Sequence, residues 1–167
     1  MKKLSLKIAG NSTLNYVLTI DGKIPTFEKN EYGNKLAYIE TDKDEVELKI
    51  QSFHELDSKV WFVTSTLFSI ISLFGLLDVR YDKRPMTFNY VGKIKLNEIS
   101  NLDLKLNTYR PNTKLFTFEG DCEVEDNESN MFLFSKKIKN HLKVVKLVKL
   151  FLWIIFVSVL IAIFINI

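Results

Sequence analysis

The sequence predicts a mainly β protein with membrane helices: a small antiparallel β-sandwich of about eight strands, interrupted by an apolar helix and followed by a C-terminal transmembrane helix. Three observations predict it. Polar stretches on both sides of residue 60 alternate apolar and polar residues with period two, the mark of half-buried strands. Residues 60–77 are free of charge. Residues 150–167, LFLWIIFVSVLIAIFINI, hold only Ser158 and Asn166 as polar residues. The chain therefore divides into a β half at 1–58, an apolar segment at 60–77, a second β half at 79–135, a basic stretch at 136–149 and a tail at 150–167.

In the first half, Leu4, Leu6 and Ile8 alternate with Ser5 and Lys7. Leu14, Tyr16, Leu18 and Ile20 alternate with Asn15 and Thr19, and Asp21-Gly22 then signals a turn. Val46, Leu48 and Ile50 alternate with Glu47, Lys49 and Gln51. Residues 30–34 and 41–44 read as loops.

The segment 60–77 carries Ser65, Ser69 and Ser72 at i, i+4 and i+7. Small residues in one stripe let membrane helices approach closely, and Ser158 and Ala162 offer a matching face in the tail. The segment is either transmembrane or interfacial, with Trp61 as an interface anchor. If it crosses once, the two β halves lie on opposite sides of the bilayer and cannot share a core. Arg80, Lys83 and Arg84 after it weakly favour crossing. Against that, Met1 to Lys7 begins like a signal peptide, but no apolar run follows for export of the first half. The expectation is one cytosolic sandwich, because neither half of about 55 residues buries enough surface to fold alone.

Beyond the segment, Phe88, Tyr90, Gly92, Ile94 and Leu96 face one way. Leu102, Leu104 and Leu106 alternate with Asp103 and Lys105. Phe116, Phe118, Cys122 and Val124 share a face, opposite an acidic row of Glu119, Asp121, Glu123 and Glu125. Arg110-Pro111-Asn112 reads as a turn, and residues 131–134 as a last short strand. The acidic row is a candidate partner-binding surface; the competing reading is a solvated outer face paired with Lys93 and Lys95.

Net charge is +3, and its placement matters more than its size. The surplus sits in 136–149, where Lys136, Lys137, Lys139, Lys143, Lys146 and Lys149 accompany His141 without any acid. Ile138, Leu142 and Val145 make one apolar stripe there, suited to the surface of a bilayer with anionic lipids. His141 itself reads as a solvated or lipid-facing side chain. Lysines on this side of the tail place it in the cytoplasm. The tail then acts as a tail anchor, its span beginning as early as Val144 because the lysines can snorkel. The localisation expected is integral membrane with a cytoplasmic β domain. Lysine greatly exceeds arginine, the composition of an A+T-rich bacterial genome.

Catalytic constellations are thin. His54 and Glu55 adjoin the apolar segment, but one histidine beside acids is more often structural than a general base. The single Cys122 permits no internal disulfide and reads as a buried, inert thiol. No metal-ligand spacing and no glycine-rich phosphate loop occur, so no cofactor is expected. The basic run lacks the interleaved aromatics of a nucleic-acid surface. The chain thus reads as a non-enzymatic, membrane-anchored protein presenting a cytosolic sandwich to a protein partner. Alternatives are an accessory subunit of a transport, secretion or defence complex, and an interfacial lipid-acting enzyme using His54.

Overall fold

The computed structural model describes residues 1–9, 15–30, 33–74, 84–107, 114–126 and 130–165. Among these, the strands are β1 (Lys2–Ala9), β2 (Tyr16–Ile20), β3 (Glu28–Lys29), β4 (Lys35–Thr41), β5 (Glu45–Ser52), β6 (Met86–Thr87), β7 (Asn89–Lys95), β8 (Ile99–Leu106), β9 (Phe116–Gly120), β10 (Glu123–Asp126) and β11 (Leu133–Phe134). Three of them are two-residue pieces, which leaves eight of four residues or more, as the alternation predicts. Two α-helices complete the chain: α1 (Trp61–Leu73) and α2 (Lys136–Ile165). The expected turn at Arg110-Pro111-Asn112, Leu14, the residues flanking α1 at 75–83 and Asn166 lie outside the described residues.

The strands form a five-stranded sheet in the order β3-β4-β1-β8-β9, a four-stranded sheet in the order β10-β7-β5-β2, and a β11-β6 ribbon. The alternating stretches at β1, β5 and β7 bury the face their pattern predicts, whereas Phe118, Cys122 and Val124 are only partly buried. Leu4, Leu6 and Ile8 are buried, as are Val46, Leu48 and Ile50, and Phe88, Tyr90, Ile94 and Leu96. A single buried cluster draws on both large sheets, with Leu102, Leu104 and Phe116 joining it. Burial of this many apolar side chains, at about 1.5–3 kcal/mol for each fully buried one, is the main stabilising term available to a unit of this size. Asp21 and Gly22 make the expected tight turn, closed by Lys23 N donating to Ile20 O at 3.0 Å.

Two features depart from the expected antiparallel sandwich: the described strands form three sheets rather than two, and one pairing is parallel. The pairings are not all antiparallel: β1 and β8 run parallel, with Leu6 opposite Leu102 and Ile8 opposite Leu104. A parallel pair requires a long connection between its strands, and here six intervening strands and α1 supply it. The other inter-half pairing, β5 with β7, is antiparallel, with Ile50 opposite Tyr90. Both large sheets therefore combine strands from before and after α1.

The chain forms two compact units. The β unit holds residues 1–53 and 87–133; the helical unit holds residues 54–86 and 134–167. α1 is shorter than the 60–77 segment, ending at Leu73. Residues 136–149 and the tail, read above as two segments, are one unbroken helix of 30 residues, about 45 Å long at 1.5 Å per residue.

Candidate membrane-binding unit

The helical unit is held by polar contacts at one end and leaves most of its apolar residues exposed. His54 opens it. Its Nδ1 accepts from Leu56 N at 3.2 Å and so caps the one-turn 3-10 helix Glu55–Asp57. That contact gives His54 a structural role. Leu56 is buried, and its carbonyl oxygen lies 2.6 Å from His141 Nδ1 on α2. The His141 ring stacks on Trp61 at 3.8 Å between centroids, with 11° between planes. His141 is thus not the solvated or lipid-facing residue expected from its lysine neighbours, because a carbonyl acceptor and an indole face fix it. Lys137 donates to Asp57 Oδ1 at 2.7 Å beside this cluster.

Ser135 starts α2. Its Oγ accepts from Ile138 N at 3.3 Å and its carbonyl from Lys139 N at 3.1 Å, an N-cap that satisfies donors the helix itself leaves unpaired. Ile138 and Val145, expected with Leu142 to face a lipid surface, are instead buried within the protein. The remaining lysines of the stretch, Lys136, Lys139, Lys143 and Lys146, stand around this end of the helix together with Lys149.

Ser65 and Ser69 are the buried residues of α1. Their hydroxyls donate within their own helix, Ser65 to Phe62 O at 3.1 Å and Ser69 to Ser65 O at 2.6 Å, and Ser72 donates to Ser69 O at 2.8 Å. The stripe therefore carries no unpaired hydroxyl into the contact. Its partner is not the expected Ser158–Ala162 face. Those two residues are exposed, and Ser158 Oγ donates to Ile154 O of its own helix. The contacts fall further towards the start of α2: Trp61 meets His141, and Phe74 meets Phe156 edge-on at 6.5 Å. Both pairs ascend in sequence order, so α1 and α2 run parallel.

From Leu147 onward α2 has no buried residue. It is long and apolar enough to cross a membrane by length and composition, and none of its most apolar window is covered.

In the β unit, the acidic residues do not form one row. Glu119 belongs to β9 at the edge of the five-stranded sheet, whereas Glu123 and Glu125 belong to β10 at the edge of the four-stranded one. The chain passes between sheets at Gly120, where a Cβ would stand 2.0 Å from Asn101 O. Only glycine fits that close approach. Lys95 Nζ lies 2.9 Å from Glu125 and 3.6 Å from Glu123. A hydrogen bond from Lys95 holds the Glu125 carboxyl below its ordinary range. Asp121 accepts from Asn101 Nδ2 at 2.9 Å. Cys122 is half-buried rather than buried, and burial pushes its thiol up, away from thiolate reactivity.

Sequence reasoning missed a second feature of this unit. Among the described residues, β3 pairs with the outer side of β4 at Lys35 and Leu36. Beside the Tyr38–Thr41 stretch lies a groove of about 450 Å³ lined by Ile20, Ile24, Pro25, Tyr38, Ile39 and Val46, with charged residues at its rim. Tyr38 and Ile24 are 67% and 69% exposed. No periodicity marks such a groove, because it depends on which strand ends at a sheet edge. The chain matches no family model, no curated protein and no solved structure.

Proposed function

We propose that this is a membrane-anchored, non-enzymatic interaction protein, with α2 crossing the bilayer and a cytosolic β-sandwich offered to a protein partner. The observation that carries the reading is the bare apolar length of α2, preceded by six lysines in its first half. The lysines suit the anionic face of a membrane and, by the positive-inside rule, the cytoplasmic one. The shared cluster of the two large sheets supports the sandwich. Their mixed strand pairing supports one side of the membrane for both halves, since paired strands cannot be separated by a bilayer.

The partner reading is supported by the groove beside β4. With Tyr38 and Ile24 exposed in its lining, it suits an apolar segment of another protein. The acidic residues support it less, because Lys95 and Asn101 already engage three of the four.

A photo-crosslinking residue at Tyr38, introduced into the full chain in living cells, tests both parts. The reading predicts a discrete adduct in the carbonate-resistant membrane fraction, lost when Ile24→Asp is added. Recovery of the chain in the carbonate-soluble fraction rejects the anchor. A chain that stays in the membrane without any adduct rejects the groove as a partner site.

A further inference from the structure

We propose that α1 is a half-inserted helix, which enters the same leaflet as the start of the α2 span, packs along α2 and presents its outer face to acyl chains without crossing. The proposal rests on the reading of α2 as a membrane anchor and adds a second lipid-binding element to it.

The depth follows from the two ring contacts. Trp61 stacks on His141, among the lysines, where an indole suits the headgroup layer. Phe74 meets Phe156, seven residues beyond Lys149, or about 10 Å deeper at 1.5 Å per residue. That depth lies within one leaflet, since the hydrocarbon core is about 30 Å thick. Residues Trp61–Leu73 number 13, about 20 Å of helix, too short to cross that core. The chain does not need to cross. Strands before and after α1 pair within the same sheets, and Pro85 O accepts from Ser135 N at 2.8 Å at the start of α2.

The two faces of α1 are chemically sorted for this position. Ser65 and Ser69 are the buried residues of the helix, and their hydroxyls are satisfied within it. On the outside, Phe62, Val63, Leu67 and Phe74 are each at least half exposed, and no residue of the helix is charged. That surface runs alongside the bare apolar side chains of α2 in the same unit. The occupant it fits is therefore the one α2 requires, lipid hydrocarbon.

The test uses the full chain with Trp61 and Trp153 both replaced by Phe, reconstituted into phosphatidylcholine–phosphatidylglycerol vesicles carrying lipids brominated at defined acyl carbons. Single tryptophans are placed by Phe74→Trp and, separately, Phe156→Trp; far-UV circular dichroism checks that the β signal is kept. The proposal predicts a comparable loss of emission at both positions, greatest with bromine at the same carbon. If Phe156→Trp is quenched but Phe74→Trp is quenched only by aqueous acrylamide, the half-inserted helix is wrong and the anchor stands. If Phe74→Trp is shielded from both quenchers and the chains crosslink as oligomers, a second copy covers the face and the lipid proposal falls. If Phe156→Trp itself escapes bromine, the anchor fails and the proposal fails with it.

Discussion

Tyr90 shows how tightly the β core constrains single residues. Its ring is fully buried, and its hydroxyl has no hydrogen-bond partner among the described residues. Burial, reinforced by the nearby Asp126 carboxylate, pushes the phenol well above its ordinary range, so it stays neutral. A Cβ on Gly92 would stand 2.2 Å from that oxygen. Gly92→Ala is therefore expected to destabilise the protein by about 1–3 kcal/mol, the usual range for overpacking. Adding Tyr90→Phe should recover part of the loss in urea titrations. Asn130 is the opposite case, a buried polar side chain with its partners in place. Its Oδ1 accepts from Phe116 N at 2.7 Å, and its Nδ2 donates to Phe116 O at 3.1 Å and to Asp126. Asn130→Ala leaves a buried backbone group unpaired and should cost about 1–3 kcal/mol in the same assay.

Acid sensitivity belongs to the same scale. Asp21 is held below its ordinary carboxyl range, first by the hydrogen bond from Lys43 and then by that from the Glu47 amide. A carboxyl with a depressed folded pKa contributes stability that is complete above its unfolded pKa, about 3.9, and is lost as pH falls through the lower folded value. Asp21→Asn should lower stability at neutral pH and flatten the acid limb below about pH 4. An unchanged acid limb would show that the Lys43 and Glu47 contacts do not matter to folding.

At the scale of elements, the strands were the most legible part of the sequence, because one buried face forces period two on each of them. Leu102 and Leu104, or Val46, Leu48 and Ile50, announce their burial through their spacing. What they do not announce is their partners. The parallel β1–β8 pair joins residues about 96 apart, and period two says nothing about which strand lies beside which. The acidic row failed for a related reason. Alternation continues through residues 116–125, but the close approach at Gly120 moves the chain from one sheet to the other. His141 was misread because its partners, Trp61 and Leu56, are distant in sequence.

Ser65 and Ser69 are buried while Ser158 and Ala162 are exposed, a difference that the spacing of small residues does not announce. Ser69→Leu adds bulk at a nearly fully buried site on α1. It should weaken the helix contact by about 1–3 kcal/mol, seen as faster proteolysis of the helical unit in detergent, whereas Ser158→Leu should have little effect. The basic stretch makes a separate prediction. Replacing Lys139, Lys143 and Lys146 by Gln should weaken association with anionic over neutral vesicles by about 1 kcal/mol per lysine near the surface, and less at high salt.

For the whole molecule, the division of labour follows from where the apolar residues go. The β unit gathers most of its apolar residues into one buried cluster, and the helical unit leaves most of its own bare. Because both β halves contribute to the same sheets, they lie on one side of any bilayer the chain crosses, and the proposed function puts that side in the cytoplasm. The most direct measurement uses Cys122→Ser with a single cysteine at either Lys29, before α1, or Lys105, after it, both exposed. Intact cells are treated with a membrane-impermeant maleimide. The account predicts protection at both positions and labelling at both after lysis. Labelling of Lys29→Cys from outside, with Lys105→Cys still protected, would contradict it, because the paired halves would then lie on opposite sides of the membrane.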